Sequence, residues 1–260
     1  RIGQINGLAV YNADFYSFGR PTRITATVSL GSGSIINVER EAGMSGRHYN
    51  KGVLIISGYF KETFGQDQPL SFNANLVFEQ SYGMVDGDSA SCTEIFALLS
   101  TLSGLPIKQS IAVTGSLNQK GDVQPIGGVN EKIEGFYDIC KLNRLTGDQG
   151  VIIPVQNIND LMLREDIIDA VRKNIFHIYP ISRVEEGIEI LTGVKAGKKS
   201  DDGYKEGTVF YLVEKKIKTL YEKSRAVKSN NNEKEIKRKT PKSTKSKKKK
   251  PVIKHRRSIK

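Results

Sequence analysis

The segment Asp86-Gly-Asp-Ser-Ala-Ser91 puts Ser89 where a loop gives way to a regular helix expected over residues 89–103. A serine at such a junction has two uses. Its hydroxyl can cap the helix by accepting hydrogen bonds from the free N–H groups of the first turn. Those N–H groups, with the positive end of the helix dipole, can instead stabilise the oxyanion formed when the hydroxyl attacks a carbonyl. On this segment alone, capping is the commoner role. A nucleophilic serine also needs a base, and the three histidines, His48, His177 and His255, stand in no context that ties them to Ser89. Lysine can serve if burial lowers its pKa from about 10.4 towards 7–8. Lys132 has a setting for that. On a helix, Gly128, Val129, Gly135 and Phe136 are its neighbours three and four positions away. The glycines permit close backbone approach and the apolar side chains keep water away, although a helical lysine is ordinarily a solvated surface residue.

The elements that must position these groups can be read from periodicity. A short apolar run predicts a strand over 8–11, and alternation and β-branched residues predict strands over 22–30, 35–38 and 70–78, with a helix over 49–64 between the last two. Cys92, Ile95, Phe96, Leu99 and Leu102 recur at helical spacing, and Gly104 and Pro106 end that helix. Cys92 reads as one of its core residues. A strand at 111–113 leads into a polar hairpin around Asn118–Asp122, then into the helix of about 128–141 that carries Lys132. Strands at 151–153 and 176–179 follow, with helices over 157–163, 166–173, 184–191 and 201–225. Strands and helices interleave without strict alternation, so the fold class is α/β of the mixed α+β kind. One domain is expected over 1–195, a helical extension over 196–226, and a disordered Lys/Arg-rich tail over 227–260.

Charge supports the last boundary. The chain has 260 residues and a net charge of +12. In residues 227–260, fifteen lysines and arginines face two acids, so residues 1–226 are close to neutral. A segment so poor in apolar residues cannot offset its ordering entropy. It reads as a solvated tail, or as one making weak phosphate contacts with nucleic acid. Cys92 and Cys140 form neither a disulfide framework nor a metal site, and no apolar run is long enough for a membrane span. A reducing, cytoplasmic setting is expected. No Gly-x-x-x-x-Gly-Lys-Ser/Thr phosphate loop occurs, so no cofactor or metal is expected in the chain itself.

Three stretches together carry a resemblance. Asp86-Gly-Asp-Ser-Ala-Ser91, Thr114-Gly-Ser116 and Gln124-Pro-Ile-Gly-Gly-Val-Asn-Glu-Lys132 are similar to the proteolytic domain of Lon proteases, with Ser89 and Lys132 at that family's interval of 43 positions. Gly87-Asp-Ser-Ala-Ser91 resembles the B-type pattern and departs from the Gly-Pro-Ser-Ala-Gly of A-type enzymes; Val77-Phe-Glu-Gln-Ser-Tyr-Gly83 fits the B-type as well. The resemblance implies a Lon proteolytic-domain fold and a serine endopeptidase that cleaves unfolded polypeptides, with Ser89 as nucleophile and Lys132 as general base. By the same resemblance Thr114 orients the lysine amine and Asp86 is an acid beside the nucleophile. Asp88 would be a carboxylate able to mask the dyad by pairing with Lys132. It further implies a homo-hexameric ring and coupling to ATP through an N-terminal ATPase module outside this chain, which begins at Arg1. The rival reading is a non-proteolytic Lon-like scaffold that binds nucleic acid through residues 227–260.

Overall fold

Ile5 alternates with the polar Gln4 and Asn6 and leads into the apolar run Leu8-Ala-Val-Tyr11, and the chain folds back on itself through Asp14, whose φ is 44°. This gives an antiparallel pair, β1 (Gln4–Ala13) and β2 (Tyr16–Leu30), in unbroken register from Gln4↔Thr25 to Ala13↔Tyr16. The computed structural model describes the backbone of residues 1–239 and the side chains of residues 1–227. After the hairpin come β3 (Ile35–Asn37), α1 (Val38–Glu41), α2 (Arg47–Phe64), β4 (Phe72–Phe78) and α3 (Ser91–Ser103). Next are β5 (Ile111–Val113), β6 (Ser116–Leu117), β7 (Val123–Gln124), α4 (Val129–Leu142), β8 (Gly150–Pro154) and a 3-10 turn at Val155–Asp160. The described chain ends with α5 (Glu165–Arg172), β9 (His177–Ile181), α6 (Val184–Thr192), β10 (Lys199–Ser200), β11 (Gly203–Tyr204) and α7 (Val209–Lys239).

Seven strands form one mixed sheet in the order β3-β4-β2-β1-β5-β8-β9. β1, β5, β8 and β9 run parallel, while β2 is antiparallel to both its neighbours. Parallel neighbours need crossover helices, and α4 and α5 supply two of them. Apolar side chains divide between two clusters. Ile5, Ile24, Phe72 and Ile152 bury against Phe60 of α2, Phe96 and Leu99 of α3, Ile188 of α6 and Phe210 of α7. Leu8, Ala112, Val151 and Ile153 bury against Ile133 and Phe136 of α4 and Ile167 of α5. The sheet is therefore covered on both faces, with α2 and α3 packed in one cluster and α4 in the other.

Several expectations needed correction. The first strand runs Gln4–Ala13 and is longer than 8–11 at both ends, because the more polar residues flanking that apolar run also pair with β2. The segment at 157–163 is a 3-10 turn ending at Asp160. The helix expected from 201 begins at Val209, since 199–204 form the β10–β11 hairpin; Val209, Val213 and Ile217 are fully buried. Residues Arg1–Ser224 form one compact unit and Arg225–Lys260 a second. In the second, helix is described to Lys239; the rest of the tail expected at 227–260 lies outside the described residues.

A buried polar knot sits where β3, α1, α2 and α3 meet. Glu94 on α3 accepts from Asn37 Nδ2 at 3.0 Å and from the hydroxyl of Tyr49. Burial, reinforced by the nearby Glu39, pushes the Glu94 carboxyl up to about 8, while bonds from Tyr49 and Asn37 act the other way. A carboxyl held above its unfolded pKa keeps a proton that the unfolded chain releases. Its stabilising contribution is complete at acid pH and is lost as pH rises from about 4.5 to about 8. Glu94→Gln should therefore remove a slope of up to about 1.4 kcal/mol per pH unit and raise stability at pH 8. Urea unfolding of both chains at pH 5 and pH 8 checks this; parallel pH dependence in the two would refute it.

Candidate active site

β5 is only three residues long and pairs with β1 at Asn6 and Gly7. Beyond Val113 the sheet has a gap beside β1, and the N-terminal ends of α3 and α4 approach each other across it. The loop before α3 is laced to the chain leaving β5: Gly115 N donates to Ser89 O at 2.8 Å and Cys92 N donates to Gly115 O at 3.0 Å. On the other side, Asn157 is buried and brackets Ile126 with two 3.0 Å hydrogen bonds, one to its N–H and one to its carbonyl. That fixes the segment leading into α4. The helix itself lies against β2 at a contact only glycine allows. A Cβ on Gly135 would sit 1.9 Å from the Gly19 carbonyl oxygen, and one on Gly19 would sit 2.0 Å from that of Glu131.

The outcome of this scaffolding is one short contact: Lys132 Nζ lies 2.9 Å from Ser89 Oγ. The two uses of Ser89 left open by its sequence context are separated here. α3 starts at Ser91 with Ala90 as its cap residue and has no side-chain cap bond, so the Ser89 hydroxyl is not a helix cap. Lys132 is 3% exposed, and burial brings its pKa down to about 8 against the raising fields of Asp88 and Glu131. A fraction of the amine is thus neutral near pH 7, which is what proton abstraction from a serine requires. The pair opens into a cleft of about 730 Å³ walled by Leu8–Asn12 of β1, by residues 80–87, and by Gly127 and Gly128.

The supporting residues are arranged differently from expectation. Thr114 donates its hydroxyl to Ser89 O at 3.3 Å and not to the lysine amine; its strand-end position aims it at the loop backbone. Asp86 caps α2 rather than α3. Its carboxylate accepts from the N–H of His48 (3.1 Å) and of Tyr49 (3.2 Å), and His48 Nδ1 lies 3.2 Å away. The amide of Gly87 and the His48 ring hold it down at about 2. Asp88 makes no ion pair with Lys132. Its carboxylate is taken by Ser116, whose Oγ donates to Oδ2 at 2.8 Å. Sequence reasoning singled out neither Gly19, Asn157 nor Ser116 as a positioning residue. The contacts by which they position the site reach 28 to more than 100 positions along the chain. Among the described residues no cluster of His, Cys, Asp and Glu could hold a metal ion.

Residues 79–193 match the family model for the Lon protease (S16) C-terminal proteolytic domain. The chain carries a Lon-type proteolytic domain. Over 219 residues it is 41% identical to a protein of Escherichia coli (strain K12) named "Putative Lon protease homolog", an overlap of 84% of this chain and 36% of that protein. It is 45% identical over 194 residues to a protein of the same name from Haemophilus influenzae, covering 74% of this chain and 32% of that one. An archaeal Lon protease from Archaeoglobus fulgidus is 32% identical over 202 residues, 77% of this chain and 29% of the relative. The chain spans about a third of the length of these curated relatives. Ser89 and Lys132 both fall inside the matched segment, so the contact described above belongs to the Lon-type domain proper.

Proposed function

We propose that this Lon-type domain is a serine endopeptidase in which Ser89 is the nucleophile and Lys132 the general base, acting on unfolded polypeptide. The observation that carries the reading is the 2.9 Å contact between Ser89 Oγ and a buried amine brought down to about pKa 8. Neutral Lys132 takes the hydroxyl proton as Ser89 Oγ attacks a peptide carbonyl. The N–H groups of residues 88–90 donate to no protein acceptor among the described residues and stand beside the nucleophile, where a developing oxyanion needs donors. The lysine ammonium then gives its proton to the departing amine. In the second half, the same amine deprotonates a water that attacks the acyl-serine, releasing the carboxylic product and restoring the hydroxyl.

The free edge of β1 accounts for the substrate class. From Leu8 onward its outer edge has no strand partner among the described residues, and residues 8–12 line the cleft. An extended chain laid along that edge satisfies backbone donors and acceptors on both sides, as in strand addition, and brings its carbonyls past Ser89. An unfolded segment offers its backbone in this way readily, whereas most of a folded protein's backbone is already paired. The same reading couples cleavage to ATP hydrolysis in a module outside this chain and to assembly as a cytoplasmic homo-hexamer, as the family resemblance implies.

Covalent labelling of the full chain with a fluorophosphonate, located by mass spectrometry, tests the dyad. Selective labelling of Ser89 that disappears in Lys132→Ala is the expected result. Labelling spread over other serines, or undiminished in Lys132→Ala, would overturn the assignment.

A further inference from the structure

A carboxylate stands one residue from the nucleophile, and its field reaches the buried amine, raising the pKa of Lys132 against burial. In a site with little water an ion pair between the two would be strong. It would also end catalysis, because a lysine paired as ammonium takes no proton from a serine. The other charged groups near the amine do not compete for it in the same way. Glu131 is on its own helix and Asp86 is occupied by α2 and His48. Arg20, across the cleft, lies over the ring of Tyr11. Where the Asp88 carboxylate points therefore decides the state of the base.

One side chain fixes that direction. Ser116 is 3% exposed and sits on β6, opposite Gln124 of β7. Its carbonyl accepts from Cys92 Sγ at 3.3 Å, and its hydroxyl donates to Asp88 Oδ2 at 2.8 Å. The remaining links between 114–116 and 88–92 end on backbone oxygens. Only this one determines the position of a charge. Resting on the dyad reading, we infer that Ser116 is a positioning residue: by holding the Asp88 carboxylate it keeps that charge from pairing with Lys132 and so leaves the amine on Ser89. A half-buried, charge-assisted hydrogen bond is strong enough for this task. Its loss would leave Asp88 with an unpartnered carboxylate and a cationic group within reach, so the carboxylate would turn to the lysine.

The test follows the rate of Ser89 acylation by a fluorophosphonate, in the full chain, from pH 5.5 to pH 10. Ser116→Ala should move the acid limb upward by about one unit, slowing labelling about tenfold at pH 7 while leaving the alkaline plateau. Ser116→Thr, which keeps the hydroxyl, should retain the parent profile. Asp88→Asn, which needs no change at β6, should move the limb downward. Ser116→Ala combined with Asp88→Asn should match Asp88→Asn alone. An unmoved limb in Ser116→Ala, or a slowing at every pH that Asp88→Asn does not relieve, would overturn the inference and leave a merely structural serine. Absence of Lys132-dependent labelling in the parent chain is a different failure: it overturns the dyad reading and this inference with it.

Discussion

Lys132→Met should give a chain at least as stable as the parent that cleaves unfolded polypeptide about 10³–10⁴-fold more slowly at every pH. The two halves of that result have one cause. Lys132 is buried, and a fall from the ordinary lysine range to about 8 means that its charged form is disfavoured in the folded chain by about 3 kcal/mol. Because the folded pKa lies below the unfolded one, the unfolded chain holds the proton more firmly. The penalty is therefore complete below pH 8 and fades as pH rises towards 10.5. Methionine has similar length, carries no charge and packs well beside Val129 and Phe136. It removes the penalty and the base together. Melting temperature at pH 7 and cleavage of an unfolded protein substrate are the two measurements. A destabilised variant would show that the amine contributes binding energy to the fold, and retained cleavage would exclude it as the base.

Gly135→Ala should act in the opposite direction from helix propensity. Glycine inside a helix costs about 1 kcal/mol relative to alanine, so at an ordinary site in α4 this substitution would stabilise. Here the added methyl would lie 1.9 Å from Gly19 O and 2.4 Å from Gly19 C, both backbone atoms of β2 at a position paired with Val10 of β1. Neither can give way cheaply, so α4 must move. We expect a loss of about 1–3 kcal/mol, the usual range for overpacking. Lys132 lies three residues before Gly135, and a displacement of the helix by about 1 Å breaks the 2.9 Å contact to Ser89. Misplacement on that scale is worth about 10² in rate. Unfolding in urea and the rate of Ser89 labelling should thus fall together. A more stable, fully reactive Gly135→Ala would mean that the backbone contact is not what sets the helix position.

Much of this was legible because it is local. Cys92, Ile95, Phe96 and Leu99 mark α3 by spacing alone, and all are fully buried. The run of 111–113 coincides with β5, and the helix expected at 128–141 differs from α4 by one residue at each end. Ser89 and Lys132 stand out as candidates because each lies in a stretch of distinctive type at a distinctive interval. What escaped is non-local. Nothing within ten residues of Gly19 says that a helix more than a hundred residues later will lie on it. Asp86 reads as an acid beside the nucleophile, yet it caps α2, where the loop doubles back through the Ser45↔Val85 bridge. Asp88 reads as a partner for the lysine, since opposite charges invite pairing; the hydroxyl that diverts it is 28 positions away.

The unpaired edge of β1 has a consequence for the cell that hosts it. An open strand edge in a sheet is normally a hazard, because other sheets can dock on it and aggregate. In this fold the edge lines a cleft that is walled also by residues 80–87 and by Gly127 and Gly128 at the start of α4. On the proposed reading, a peptidase built on this edge would act poorly on native proteins, whose backbones are largely engaged in their own helices and ladders. Discrimination between damaged and healthy molecules then requires no recognition of particular side chains. Under that reading, loss of tertiary structure would itself be the admission signal.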